Sequence, residues 1–393
     1  MQLKYMPIGF WNYVDCGVLG KEAVADWKEL GISLAMSFEY DSTKNTKEQM
    51  LEVLDECARL GIQVVVCDTR AHWKTYLSRG EAEFTRLLKE AIADFGGHKA
   101  VFGFHVGDEP DKTMWEAAIR SCVLQKQLAP HLHPFVNFFP YWKGPGFEEK
   151  LGFEGAAYEE KLVDFIQRSG LEFVMYDCYT QLCDFNAEME IDNYFYNLNM
   201  FLRAAKRCGV PLWNTIGCVG LEGTRVPTED DLRWQLSTSL LHGCSGFFWF
   251  FIYGRRLHEC FRQSPFDLYY NRTDTYDRLA RQNRIFTEHY ARMLVGYDHV
   301  KTYHYGTVYG GTDRFVNGCD DVIKDVTHLQ FHPVAVAKFR SRSEDKTIVA
   351  VCNLSQREPE RVGVEFYGKF AKYNFNWWLA PGQVWLIPLF DEE

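Results

Sequence analysis

Short apolar runs alternate with amphipathic helical patterns eight times between Pro7 and Leu294, and this regularity limits the fold more than any single motif. The first four expected strand–helix pairs are Pro7–Val14 with Lys21–Leu30, Ser33–Phe38 with Lys47–Leu60, Gln63–Cys67 with Glu81–Phe95, and Val101–Gly107 with Lys112–Leu128. The remaining four are Pro134–Phe138 with Glu159–Arg168, Glu172–Tyr176 with Tyr194–Cys208, Leu212–Cys218 with Glu229–Leu241, and Gly246–Ile252 with Tyr276–Leu294. Glycines at 31, 61, 97, 170, 209 and 243 stand where helices end before the next strand, the position of a left-handed stop. Eight β/α units predict an α/β chain folded as a (β/α)8 TIM barrel over residues 1–296. A doubly wound open sheet is the alternative, but no glycine-rich phosphate loop follows the first strand.

After Gly296 the texture changes to short alternating segments: Val300–Tyr305, Val336–Phe339, Thr347–Leu354, Val362–Phe366 and Gln383–Leu389. These predict a small C-terminal antiparallel β domain, sandwich-like, over residues 297–393.

Charge and cysteine content narrow the function classes. The net charge of -10 is scattered, with no basic patch, which argues against nucleic acid or an anionic membrane as partner. Twelve cysteines occur singly without a CxxC, the pattern of buried free thiols in a reducing compartment. With no signal-peptide layout at Met1 and no membrane-length apolar run, a cytoplasmic location is expected.

The stretch Val101-Phe-Gly-Phe-His-Val-Gly-Asp-Glu-Pro110 reads as a strand that stops on two carboxylates. Phe102, Phe104 and Val106 alternate with Gly103, His105, Gly107 and Glu109, so one face is expected to be bulky and apolar and the other small or polar. Pro110 ends the ladder and a helical pattern follows. In a barrel the functional face is the set of C-terminal strand ends. Read in order, these are Trp11, Asn12 and Asp15; Glu39, Tyr40 and Asp41; Asp68, Arg70, His72 and Trp73; Asp108 and Glu109; Asn137, Tyr141 and Trp142; Tyr176, Asp177 and Tyr179; Trp213, Asn214 and Glu222; and Trp249 and Tyr253.

Acids, amides and aromatic rings on one rim suit a carbohydrate: rings for the C–H faces of a sugar, polar groups for its hydroxyls, and two acids for a glycosidic bond. The candidate catalytic residues are Glu109, Asp177 and Asp108. Trp11, Glu39, His72, His105, Asn137, Tyr176, Tyr179, Trp213, Glu222 and Trp249 are candidate substrate-binding residues. Simpler roles stand beside these: Glu109 as a helix-start carboxylate, Asp177 as a strand-end cap, and Trp249 as core. His131 and His133 have metal-like spacing but precede a strand, at the opposite barrel face. No spacing selects Asp68, His72 and His105 as metal ligands, so neither metal nor cofactor is expected. A GxSxG nucleophile elbow is absent.

The chain resembles TIM-barrel glycoside hydrolases over nearly its whole length. Gly103-Phe-His-Val-Gly-Asp-Glu-Pro110 is similar to the fourth-strand acid/base motif of the group related to β-galactosidases. Phe173-Val-Met-Tyr-Asp177 is similar to the sixth-strand Met-x-Tyr-Asp of family 18 chitinases, and Gly246-Phe-Phe-Trp249 resembles an eighth-strand Gly-x-x-Trp. The resemblance implies a glycosidase, with Glu109 as general acid/base. Relatives of β-galactosidases carry a nucleophilic glutamate at the seventh strand end, whereas here Trp213-Asn-Thr-Ile-Gly-Cys218 has none and Glu222 lies in the following loop. Asp108 stands where they carry an amide residue. The Asp-Glu pair instead resembles family 123 N-acetylgalactosaminidases, which implies a substrate acetamido group as nucleophile, oriented by Asp108 and held by Tyr176 or Asn137. A retaining two-carboxylate mechanism, this substrate-assisted one, and a non-catalytic carbohydrate-binding barrel all remain open on the sequence.

Overall fold

Eight parallel strands close into a barrel in the computed structural model, which describes residues 3–255 and 260–390. Met1, Gln2 and the last three residues, included in the expected domain ranges, lie outside the described residues. The barrel strands are β1 (Ile8–Phe10), β2 (Leu34–Tyr40), β3 (Gln63–Asp68), β4 (Val101–Asp108), β5 (Phe135–Phe138), β6 (Val174–Asp177), β7 (Leu212–Gly217) and β8 (Cys244–Phe250). Around the ring they follow the order β1-β8-β7-β6-β5-β4-β3-β2. At the β1/β2 seam, Ser33 N–H donates to Ile8 O at 2.9 Å, Glu39 N–H to Val14 O at 2.8 Å and Cys16 N–H to Glu39 O at 2.9 Å.

The helices are α1 (Ala23–Glu29), α2 (Lys47–Leu60), α3 (Trp73–Arg79), α4 (Glu81–Ala91), α5 (Trp115–Leu128), α6 (Pro145–Leu151), α7 (Tyr158–Ser169), α8 (Ala187–Cys208), α9 (Glu229–Leu241), α10 (Asp274–Ile285) and α11 (Arg292–Leu294). Neither α3 nor α6 is anticipated from periodicity, since each is a short insertion within a β/α connection. Gly31, Gly61, Gly170, Gly209 and Gly243 all have positive φ, the expected stops. Gly97 departs from this expectation with φ -86, because a π-helical turn over Ile92–Gly96 ends the α4 region without a left-handed residue.

Along β4 the strict two-face alternation breaks. Phe102 turns into the barrel, beside Phe173 and Trp213, whereas Phe104 and Val106 join the core under the helices. The cause is two slips in pairing, one against β3 between Val64 and Val65 and one against β5 between His105 and Gly107. Two glycines permit these slips. A Cβ on Gly103 would lie 1.8 Å from His133 O, and one on Gly107 would lie 2.5 Å from the Trp73 ring. Gly103→Ala is therefore expected to lose about 3 kcal/mol or more of stability, as a backbone carbonyl cannot step aside like a side chain. Urea unfolding measures this, and an unchanged midpoint would contradict the close approach of β4 to the His133 segment.

The C-terminal region begins with β9 (Tyr297–Tyr305), followed by β10 (Asp313–Arg314), β11 (Ile323–His328), β12 (Val334–Ser341), β13 (Thr347–Asn353), β14 (Glu360–Phe366), β15 (Phe375–Leu379) and β16 (Val384–Leu389). Five strands in the order β10-β9-β12-β13-β16 face three in the order β11-β14-β15. The pairs are antiparallel except the short β10/β9 pair, which is parallel. Val326, Val336, Val349, Val351, Val362 and Val364 fill the space between the sheets. The opposite face of the larger sheet, including Ala335, Ala337, Ala350 and Cys352, merges with the barrel core. Trp234 of α9 donates from Nε1 to Leu354 O at 2.8 Å across this joint. Among the described residues no helix is long and apolar enough to cross a membrane.

Candidate active site

Asp108, Glu109, Asn137 and Asp177 come from three adjacent strand ends, β4, β5 and β6, on the C-terminal rim. Asn137 joins two of the acids: its Nδ2 donates to Asp108 Oδ1 at 3.0 Å and to Asp177 Oδ1 at 2.7 Å. Two oxygens held by one nitrogen lie within about 6 Å of each other. The amide is oriented from behind, because Thr215 Oγ1 of β7 donates to Asn137 Oδ1 at 3.5 Å and itself accepts from Trp11 Nε1 at 3.2 Å. Glu109 completes the group, near enough to Asp177 and Asp108 to feel the charge of both.

The backbone aims Glu109. Its φ of 52 places a non-glycine residue in the left-handed region, and its N–H donates to Asn137 O at 2.9 Å. A strained residue anchored by a neighbouring strand is a mark of functional placement. Pro110 then prevents β4 from continuing.

Three buried carboxylates cannot all be charged. Burial raises Asp108 to about 6, with the Asn137 hydrogen bond opposing, and raises Asp177 to about 7, with Asp108 adding to the rise. Glu109 is raised furthest, to about 10, by burial first and then by the charges of Asp177 and Asp108. At neutral pH Glu109 therefore holds its proton.

Aromatic groups wall this site. Trp11 meets His105 edge-on with centroids 5.5 Å apart, and Tyr179 stacks on Phe250 at 5.2 Å, close enough to Asp177 to lower its pKa against burial. Tyr13, two residues beyond Trp11, stacks near it at 6.3 Å, and Arg255 lies over the Tyr13 ring at 3.8 Å. Burial keeps His105 neutral, lowered to about 3, and the nearby His72 likewise, lowered to about 4. Glu39 opens onto a cleft beside Tyr13.

Four other candidates lie away from the acids. Tyr176 faces the helix layer, stacked at 4.0 Å on Phe201 of α8, since its neighbour Asp177 takes the inward direction. Trp213 points inward but lies at the barrel floor, stacked at 4.0 Å on Phe173. Trp249 faces outward and donates from Nε1 to Asn283 of α10 at 2.9 Å. Glu222 is exposed in the loop after β7. Asp68 is buried against Arg70, at 2.7 Å, rather than directed at His72 and His105. Among the described residues, no set of three or more His, Cys, Asp or Glu side chains could hold a metal ion.

Tyr13, Thr215 and Arg255 are the contributors that the sequence analysis missed. The spacing of Tyr13 two residues past Trp11 was a usable signal, whereas Arg255 lies beyond the end of β8 and had none.

No protein-family model matches the sequence, and no curated protein matches it. Solved structures do. A glycoside hydrolase of family 5 from Bacteroides vulgatus superposes with a TM-score of 0.59 at 12% identity, over 98% of this chain and 89% of that one. A β-galactosidase from the psychrophilic Marinomonas ef1 matches with a TM-score of 0.53 at 11% identity, over 71% of this chain and 59% of that one. The β-galactosidase of the Antarctic haloarchaeon Halorubrum lacusprofundi gives 0.53 at 12% identity, over 72% and 58%. This chain thus spans less than two thirds of either β-galactosidase. At such identities the likeness is one of architecture: the chain has the fold of the TIM-barrel glycoside hydrolases, and the match to the family 5 structure extends through the C-terminal β domain.

Proposed function

We propose that the protein hydrolyses glycosidic bonds in a small saccharide or glycoside, with Glu109 as general acid and base. The observation that carries this reading is the cluster of three acids: a proton-holding Glu109 in the field of Asp177, which Asn137 ties to Asp108. Glu109 protonates the leaving oxygen, and Asp177 attacks or stabilises the anomeric carbon from the other side. Asp177 is the charge that acts most strongly on Glu109, which favours the shorter carboxyl separation of a retaining enzyme, roughly 5–5.5 Å, over the roughly 6.5–9.5 Å at which an inverting enzyme holds its water. In the second step Glu109 takes a proton from water and the glycosyl bond to Asp177 is hydrolysed.

One observation favours a second reading. The Asn137 amide spans Asp108 and Asp177, and the acetamido group of an N-acetylhexosaminide could replace those hydrogen bonds and act as nucleophile in place of Asp177. A screen of aryl glycosides that includes N-acetylhexosaminides tests both. Cleavage of simple hexosides supports Asp177 as the nucleophile, cleavage restricted to N-acetylhexosaminides supports the substrate-assisted route, and sugar binding without turnover would leave a carbohydrate-binding barrel.

The pH profile of kcat/KM is expected to rise as Asp177 ionises, near 7, and to fall only as Glu109 loses its proton, near 10. The sign follows from the roles, since the acid must be protonated and its partner charged. An optimum near pH 4 would contradict them.

A further inference from the structure

Across the barrel mouth from Glu109, a cleft of about 470 Å³ opens between the ends of β1, β2 and β8, large enough for a sugar ring. Tyr13, which also feels the charges of Asp108, Asp177 and Glu109, and Tyr270 both line it. Glu39 and Arg255 both line it. Their charges reach each other: burial raises the Glu39 pKa, and the Arg255 guanidinium opposes that rise. Among the described residues, however, the two do not close into an ion pair. The guanidinium lies instead over the rings of Tyr13, Phe251 and Phe261, at 3.8, 5.7 and 5.6 Å. Glu39 is anchored at the barrel seam by backbone hydrogen bonds to Val14 and Cys16.

Opposite charges held apart in one cleft keep their hydrogen-bonding capacity for a ligand. A carboxylate takes O–H donors and a guanidinium gives N–H to oxygen lone pairs, so together they match vicinal hydroxyls, which both donate and accept. The ring faces suit the C–H surface of the same sugar. Glu39 and Asp15 in the cleft, with Asp108 beyond Tyr13, disfavour an anionic ligand.

We propose that this cleft is a second sugar subsite, in which Glu39 and Arg255 hold the vicinal hydroxyls of a neutral unit joined to the sugar over the acids. The inference rests on the glycosidase reading above. It also fixes polarity. Glu109 on β4 stands where the leaving group departs, and β8 lies opposite β4 in the ring, so the cleft takes the unit on the non-reducing side. The preferred substrates then carry at least two sugar units before the scissile bond.

The test compares 4-nitrophenyl β-glucoside and β-N-acetylglucosaminide with 4-nitrophenyl β-cellobioside, β-lactoside and N,N′-diacetyl-β-chitobioside, with chromatography of the products to identify the bond cut. Wild-type protein is expected to release nitrophenol from a disaccharide with higher kcat/KM than from the matching monosaccharide. Arg255→Met and, independently, Glu39→Gln should each reduce that disaccharide-to-monosaccharide ratio by roughly 10–100-fold. Thermal melting shows that each variant is folded. A wild-type ratio near one, or ratios unchanged in folded variants, overturns the subsite while Glu109-dependent hydrolysis leaves the glycosidase reading standing. Failure of the wild-type protein to cleave any probe removes that reading, and the subsite with it.

Discussion

Glu109→Gln is expected to lower kcat/KM by roughly 10²–10⁴-fold on glycosides whose leaving group needs a proton, the usual contribution of a positioned acid. The amide keeps the size of the carboxyl group, but it has no proton to transfer. The loss should shrink for a 2,4-dinitrophenyl glycoside, whose leaving group departs without protonation. Steady-state kinetics on the two substrate types checks both halves. Full activity of Glu109→Gln on an alkyl glycoside would end the proposed role.

Asp177→Asn carries the second large effect, a loss of at least about 10³-fold for both leaving groups, as the change removes the partner of the acid rather than the acid. It also removes the largest charge contribution to the raised pKa of Glu109, after burial. The alkaline limb of any residual activity should therefore move to lower pH. Stability should respond in the opposite sense to activity. Asp108, Asp177 and Glu109 are all raised above their unfolded values, so the stabilisation from their bound protons is complete below about pH 4 and is lost as pH rises through the folded values near 6, 7 and 10. Removing one of the three acids should raise the melting temperature at pH 8 and flatten its fall between pH 5 and 8. Scanning calorimetry across that range provides the measurement. A variant that is inactive and also less stable at pH 8 would indicate that Asp177 serves the fold rather than the chemistry.

Parity and depth explain which site residues could be read from the chain. Adjacent residues on a strand point to opposite faces, so Tyr176 and Asp177 cannot both reach the rim, and neither can Phe248 and Trp249. For Tyr176 and Asp177 the sequence offers both members as site residues, and the twist and tilt of the barrel choose Asp177; on β8 they turn Trp249 outward. Depth is the second unknown. Trp213 and Thr215 both point inward on β7, but two residues of strand carry Thr215 up to Asn137 and leave Trp213 on the floor against Phe173. In β4 even parity is lost, as the slips at Gly103 and Gly107 turn Phe102 inward and then bring Asp108 and Glu109 together at the rim.

What the sequence determined by itself was the architecture and the chemical character of the rim. Eight alternating apolar and amphipathic segments have few ways to bury their faces other than a barrel, and this follows from local polarity alone. The Gly-Asp-Glu-Pro turn placed acid groups at the end of the fourth strand for the same local reason. Only the tertiary structure decided which groups act together. Asp177 lies 68 residues from Glu109 and Thr215 a further 38 on. Their meeting through Asn137 depends on strand order, register and tilt, which are properties of the closed ring and leave no local trace in the chain.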